Sequence, residues 1–293
     1  MSPRRRTAGP RVGIIGAGRA GLGLALALKK ARVVVVGVHS RREKPVPAGV
    51  TLTAGPMAPW IGAADVVVLA VGDEALGPLV AGLAGAGALR SGQAVLHLSG
   101  ARTSEALAPL AALGVVVGSM HPLMTVSAEP ERAAKHFRGA TFAVEGDFEA
   151  VRVADGLVRA LGGVPVMIAP EAKALYHAGA VFAANYLVTA LATAERLLEQ
   201  AGLPRGTARE ALAPLARATL ENVAALGPEA ALTGPVARGD AETVRRHRAA
   251  LGAEDRRLYD ALARATLALA KTKGLSPAVE AALLAALAEG RTP

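Results

Sequence analysis

Six residues constrain this chain more than any others: Gly16-Ala17-Gly18-Arg19-Ala20-Gly21, a G-x-G-x-x-G run. They follow the apolar run Val12-Gly13-Ile14-Ile15 and open an amphipathic stretch from Ala20 to Lys30. Between a strand and a helix each glycine has its own task. Gly16 permits the tight turn, Gly18 lets the backbone approach a pyrophosphate, and Gly21 lets the helix pack closely on the strand. The helix end then offers free N–H groups and a positive dipole to phosphate. Residues 16–21 are therefore expected to cradle a dinucleotide.

The end of the second strand decides which dinucleotide. About twenty residues beyond the glycines, NAD-binding chains place an acid against the ribose 2′-hydroxyl. Here that place holds His39-Ser40-Arg41-Arg42, with no acid before Glu43. A hydroxyl and two guanidinium groups suit a 2′-phosphate, and a charge-assisted bond adds about 1.5–3 kcal/mol. The expected cofactor is NADP, held by Ser40, Arg41 and Arg42. The alternative is that both arginines are ordinary surface charges.

Through the first half, β-rich runs alternate with helical patterns, which implies a doubly wound parallel sheet. Strands are expected at Val12–Ile15, Val33–His39, Val50–Thr53, Asp65–Ala70, Ala94–Leu98, Val115–Met120, Ala140–Val144 and Val164–Ile168. Helices fall between them at Ala20–Lys30, Glu74–Ala86, Ser104–Leu113 and Phe148–Leu161. After Pro170 no β-rich run returns. Helical patterns cover Glu171–Ala201, Pro204–Leu226, Asp240–Leu251, Glu254–Thr272 and Ser276–Leu287, with loops expected at Gly227-Pro228 and Gly234-Pro235. The expected organisation is a disordered basic tail at 1–10, a Rossmann domain at 11–169 and an all-helical domain at 170–293. The fold class is α/β, with an all-α second domain for substrate and dimerisation.

Several residues fall at carboxyl ends of strands, where such sheets hold ligands. Val71-Gly-Asp73 follows the strand at Asp65–Ala70, and Asp73 is either a ligand contact or a helix cap. Ser99 follows the next strand, as a nicotinamide or substrate contact or as a turn residue. His121 precedes Pro122, which restricts it to extended geometry. Lys173 and His177 are four apart at the start of a helix and share a face expected to meet the nicotinamide. A buried lysine with a lowered pKa can protonate a nascent alkoxide. Asn185, twelve residues on, falls roughly on the same face. In the loop from Thr233 to Thr243, Arg238 can pair with a substrate carboxylate, and Asp240 either joins it or only caps a helix.

Composition narrows the alternatives. The chain has no cysteine, which excludes disulfides, thiolate zinc sites and cysteine nucleophiles, and accords with a cytoplasmic location. None of the six histidines shows metal-ligand spacing, so no metal site is expected. The formal charge of +9 suggests nucleic acid. With 3% aromatic residues, however, nothing alternates with the arginines to stack bases. The charge is better matched to an anionic cofactor and an acidic substrate. The uncharged stretch Ala174–Ala194 has the length of a membrane span, but it contains Tyr176, His177, Asn185, Tyr186 and Thr189 and is expected to be a buried core helix.

Three segments carry a family resemblance: His121-Pro-Leu123, Lys173-Ala-Leu-Tyr-His177-Ala-Gly-Ala-Val-Phe-Ala-Ala-Asn185-Tyr, and Leu232-Thr-Gly-Pro-Val-Ala-Arg-Gly-Asp240. With the glycine run they resemble bacterial Rossmann-like NADP oxidoreductases that carry a C-terminal helical domain of unknown function. Those belong to the group whose C-terminal domain is like that of 6-phosphogluconate dehydrogenase. Pyrroline-5-carboxylate reductase, ketopantoate reductase, β-hydroxyacid dehydrogenases and prephenate dehydrogenase are relatives. The resemblance spans about Arg11 to Leu287. It implies that Lys173 is similar to the catalytic lysine of the hydroxyacid enzymes, although His177 stands where those place asparagine. It also implies that His121-Pro is similar to the His-Pro of prephenate dehydrogenases, and Ser99 to a serine of the same relatives. It further implies a homodimer formed through the helical domain.

The expected activity is hydride transfer from NADPH to a small keto acid, such as ketopantoate by resemblance, or to an imine acid. Lys173 or His121 would donate the proton, with His177 and Asn185 orienting substrate. Two other readings stay open: a non-catalytic NADP-binding sensor, and a prephenate or arogenate dehydrogenase.

Overall fold

The computed structural model describes residues 9–288. Most of the expected basic tail, residues 1–8, lies outside the described residues; Gly9 and Pro10 are exposed and carry no regular structure. Contacts divide the chain into two compact units, Met1–Asn185 and Tyr186–Pro293.

The first unit alternates β1 (Arg11–Ile15), α1 (Arg19–Lys30), β2 (Val34–Ser40), β3 (Leu52–Ala54), β4 (Val66–Leu69), α2 (Asp73–Ala86), β5 (Ala94–His97), α3 (Ala108–Ala111), β6 (Val116–Leu123), α4 (Pro130–His136), β7 (Thr141–Gly146), α5 (Phe148–Ala160) and β8 (Val164–Met167). It ends in α6 (Lys173–Val181) and a π turn, Phe182–Tyr186, which the unit boundary divides. The eight strands form one sheet in the order β3-β2-β1-β4-β5-β6-β7-β8. The order reverses at β1, whose two neighbours are β2 and β4, and this is the switch point where ligands bind in such sheets.

The strands alternate their side chains between two cores. Val66 and Val68 pack with Leu24, Leu28 and Val158 on one face, and Val67 and Leu69 with Leu76, Val80 and Leu110 on the other. This period of two is what a sheet covered on both sides requires. Val, Leu and Ala supply most of both layers, with the stacked pair Phe137 and Phe142 in the first and Trp60 in the second.

Four expectations for this unit need correction. The sheet is not wholly parallel, because β6 and β7 pair antiparallel. Ser104–Leu113 is a 3-10 turn, Ser104–Leu107, followed by one short helical turn, since Pro109 cannot donate to a longer helix. Asp73 is the first helical residue of α2 rather than its cap, which is Gly72. The unit also extends beyond Ala169, because α6 bonds into the sheet.

The second unit contains α7 (Leu187–Gln200), α8 (Thr207–Ala231), α9 (Pro235–Arg238), α10 (Ala241–Ala250), α11 (Ala253–Lys271) and α12 (Pro277–Ala288). Gly227, at φ +80°, kinks α8 where the sequence suggested a loop. A small core of Val236, Val244, Leu267, Leu283 and Leu287 joins α9 to α12. The buried Arg248 braces it, pairing with Asp260 at 2.7 Å and donating to the Ala286 carbonyl at 2.6 Å.

The expectation of a buried core helix at Ala174–Ala194 is overturned. The helical stretch Pro170–Gln200 is long and apolar enough to cross a membrane, by length and composition, and its most apolar window is not buried within the chain. Leu175, Phe182 and Val188 are all exposed. In sequence, an apolar stretch of this kind reads the same whether its cover comes from the chain itself or from elsewhere.

Candidate active site

The glycine run folds as its spacing demands. Gly16 has φ +116°, and a Cβ there would lie 2.3 Å from the Ala70 carbonyl oxygen. A Cβ on Gly21 would lie 1.8 Å from the Gly16 carbonyl oxygen, so the turn and α1 touch backbone to backbone. Gly18 differs: nothing lies within 4 Å of where its Cβ would be. Gly18 is exposed and caps α1 without a side chain. Open space over an uncapped helix N-terminus is what a pyrophosphate needs, so Gly16–Gly21 fit the group. Ala17 is buried, whereas Arg19 is exposed at the first helical position. Val71 is half-buried beyond β4, its Cγ1 3.1 Å from the Gly16 Cβ position.

The end of β2 lies against this turn. The Gly16 N–H donates to the His39 carbonyl at 2.8 Å. His39 itself is buried, its ring nitrogens 2.9 Å from Thr53 Oγ1 and 3.1 Å from the Gly55 carbonyl, which fixes the loop that follows. Ser40 Oγ donates to the Arg42 carbonyl, and the Arg41 and Arg42 side chains are exposed, with no ion pair to another described residue. Both cations lie in the loop that directly follows β2.

One cross-sheet row organises the rest. Ile15 registers with Leu69, Leu69 with His97, His97 with Ser119, and Ser119 with Glu145. β6 runs on past this row, which carries His121 beyond the carboxyl ends of the parallel strands. At the row itself lies a buried charged cluster. Lys173 Nζ pairs with Glu145 Oε1 at 2.7 Å and donates to Ser119 Oγ. Ser119 Oγ donates to Glu145 Oε1 at 2.6 Å, while the Ser104 N–H and hydroxyl also reach that carboxylate. Burial would raise the Glu145 carboxyl, but the hydrogen bonds from Lys173, Ser119 and Ser104 outweigh it and hold it below its ordinary value. Burial likewise pulls the Lys173 ammonium below its ordinary value, against the attraction of Glu145.

Lys173 is therefore a buried lysine and not a solvated first-turn one: it is 0% exposed, and its ammonium is held by Glu145 and Ser119. Unpaired, a buried ammonium would be very costly, so the helix start is drawn down onto Glu145. Lys173, Tyr176 and His177 do share one face of α6, at the i, i+3 and i+4 spacing. Tyr176 and His177 remain half-buried above it.

Those two residues meet His121. Its Nδ1 lies 3.0 Å from the Tyr176 hydroxyl, with the rings edge to face at 5.6 Å. The His177 ring is 6.0 Å away on another side. Gly100 makes this convergence possible: a Cβ there would lie 2.5 Å from His177 Cδ2 and 2.8 Å from His121 Nε2. Burial, then the charges of His177 and Lys173, push His121 down to about 4, so its ring is neutral at pH 7. Burial and Lys173 push His97 to about 4 as well; it accepts the Ser99 N–H on Nδ1 and lies 3.1 Å from the Thr103 carbonyl through Nε2.

The other expected site residues are placed elsewhere. Ser99 is a turn residue, buried, its Oγ accepting the N–H groups of Ala101 and Arg102. Asn185 lies exposed on the π turn. The expectation of a face shared with Lys173 needs correction, because twelve residues at about 100° each leave the two about 120° apart in a regular helix. Asp240 caps α10, accepting from Thr243 N at 3.0 Å and Thr243 Oγ1 at 2.7 Å. Arg238 is exposed at the end of α9. Among the described residues no His, Cys, Asp and Glu cluster could hold a metal. Glu145, Ser119, Ser104 and Tyr176 escaped the sequence reading. The available signal was Glu145 itself, an acid inside an otherwise apolar strand, which must find a cation.

Fold and site together define the chain as a Rossmann-like α/β protein with a helical C-terminal region. Its parts are identifiable more closely. A Rossmann-like domain model matches residues 2–122, and the model of the domain of unknown function DUF2520 matches residues 140–266. No curated protein matches it. Among solved structures, BF3122 of Bacteroides fragilis, provisionally named an NADP oxidoreductase, superposes with a TM-score of 0.71 at 24% identity, covering 89% of this chain and 98% of that one. Protein TM1727 of Thermotoga maritima gives 0.66 at 20% identity, covering 89% and 99%. Pyrroline carboxylate reductase of Plasmodium falciparum, solved with NADP bound, gives 0.56 at 13% identity, covering 96% and 98%. At these identities the likeness is one of fold.

Proposed function

We propose that the protein is an NADP(H)-dependent oxidoreductase acting on a small keto acid, of which ketopantoate is one example, or on an imine acid. The observation that carries this reading is the open cradle over Gly18, with β2, the strand that leads to Arg41 and Arg42, paired to β1 beside it and the His121–His177 pair in the same unit. The similar folds named for NADP chemistry support it.

Gly16, Gly18, Gly21 and the first turn of α1 would hold the pyrophosphate, and Ser40, Arg41 and Arg42 the 2′-phosphate. Bound there, the reduced nicotinamide supplies a hydride to the carbonyl or imine carbon. The chain must supply the proton for the oxygen or nitrogen left behind. We assign that proton to His121. Its ring is neutral in the free protein, and an anionic substrate alongside favours the imidazolium. The ring then passes the proton to the developing alkoxide or amine. In the reverse direction the ring, neutral and protonated at Nδ1, accepts it at Nε2. Lys173 acts from behind, as a buried charge that tunes both histidines. We further propose a homodimer formed through the exposed apolar helices.

Calorimetry with NADPH and NADH tests the cofactor. We expect NADPH to bind at least tenfold tighter, and Arg41→Ala to erase most of that ratio, since one charge-assisted bond is worth about 1.5–3 kcal/mol. Absence of affinity for either coenzyme sinks the reading. Tight binding with no turnover on any keto or imine acid replaces it with a non-catalytic NADP sensor.

A further inference from the structure

The Tyr176 phenol touches only one nitrogen of the ring assigned to proton transfer. We infer that Tyr176 is a positioning residue for His121: its hydroxyl donates to Nδ1 of the neutral ring and so turns Nε2–H toward the substrate. When the substrate's charge favours the imidazolium, the second proton enters at Nδ1 and the Tyr176 oxygen accepts from it. Nε2 then gives its proton to the substrate, leaving a neutral ring protonated at Nδ1. The inference rests on the oxidoreductase reading above and names the atom through which that site works.

Four observations support it. The Tyr176 Oη to His121 Nδ1 distance of 3.0 Å is a hydrogen bond, and the nearly perpendicular rings, at 87°, place the phenol edge against the imidazole rather than stacking it. Burial pushes the Tyr176 phenol above its ordinary value, so it keeps its proton at neutral pH and can donate. The His121 ring is neutral there, so one nitrogen must be an acceptor, and the bond made at one nitrogen settles the state of the other. Finally, Nε2 is the nitrogen over Gly100, 2.8 Å from the position a Cβ would take, on the side of the ring where His177 also converges. Only a residue without a side chain leaves that nitrogen room. Tyr176 reaches Nδ1 because Lys173, one turn earlier on α6, is fixed to Glu145 and sets the helix against the sheet.

Long-range 15N–1H correlation on the full-length protein, without ligands, reads the tautomer directly. The expected result is a protonated-type shift at Nε2 and an acceptor-type shift at Nδ1 of His121. An Nδ1–H pattern in the wild-type protein overturns the inference, whether or not any substrate has been found. In Tyr176→Phe the His121 signals should move to a mixture of tautomers, while the melting temperature changes little. With a turned-over substrate in hand, the same variant should lose on the order of tenfold or more in kcat, with the KM for NADPH unchanged, as for a misplaced general acid. An unchanged tautomer together with unchanged kcat in Tyr176→Phe also overturns it. If no substrate is turned over by the wild-type protein, the oxidoreductase reading fails while the tautomer measurement still decides the role of Tyr176.

Discussion

At the scale of single residues, the site is built from groups whose charge is decided by burial. His97 and His121 are both held near 4, against an ordinary value of 6.5. The sign follows from linkage. An unfolded histidine takes up a proton below 6.5, whereas the folded one refuses it until about 4, so stability is whole above 6.5 and is lost as pH falls toward 4. Glu145, also depressed, adds its loss further down, below its ordinary 4.5. Between pH 6.5 and 5 ordinary carboxylates titrate little. Urea unfolding in that window should show stability falling by up to about 2.7 kcal/mol per pH unit, the slope for two protons. His121→Asn should remove about half of that slope. A flat profile in the wild-type protein would mean that neither ring is buried neutral. None of this was legible from the residues alone, because a histidine in a sequence carries no sign of the lysine behind it. Glu145 was readable only as an anomaly, a charge in an apolar strand without a visible partner.

At the scale of elements, most of the first unit was legible. The glycine run, the valine-rich strands and the proline breaks are local signals, and β1, α1, β2 and β4 to β8 fall within a few residues of where they were expected. What failed was non-local. Period-two burial does not reveal strand direction, so the antiparallel β6–β7 pairing had no signal. The π turn at Phe182–Tyr186 inserts its extra residue without a proline or glycine to mark it. The glycine loop allows fold and binding to be separated by experiment. Gly21→Ala places a methyl 1.8 Å from a carbonyl oxygen and should cost about 1–3 kcal/mol of stability through overpacking. Gly18→Ala meets open space at φ −82°, an ordinary conformation for alanine, and should leave stability nearly unchanged. Its methyl would occupy the approach to the helix N-terminus, so NADPH affinity should fall about tenfold or more, or at least 1.4 kcal/mol. Urea melts and calorimetry on both variants check the contrast; equal affinity in Gly18→Ala and wild type would remove the pyrophosphate from that position.

For the whole molecule, the unsolved quantity is what covers the apolar helices. Val188 on α7 is 67% exposed, and Leu215, Leu220 and Leu226 on α8 are exposed as well. Apolar surface of this extent on helices marks an interaction site. Two occupants suit it, a bilayer and a second copy. A bilayer-spanning Pro170–Gln200 would have to carry Lys173 away from Glu145 and Tyr176 away from His121, leaving a carboxylate buried without its cation, a loss of about 3–5 kcal/mol. A second copy requires no such rupture, and the composition of these helices, mostly Ala and Leu, suits close helix packing. We therefore expect sedimentation equilibrium to give a dimer of about twice 29.5 kDa. The double variant Val188→Glu and Leu220→Glu should sediment as a monomer, because each charge would be trapped unpaired in the contact. NADPH affinity should survive in that monomer, since the glycine cradle lies wholly within the first unit. A wild-type chain that sediments as a monomer, or that partitions into liposomes during flotation, would overturn the dimer.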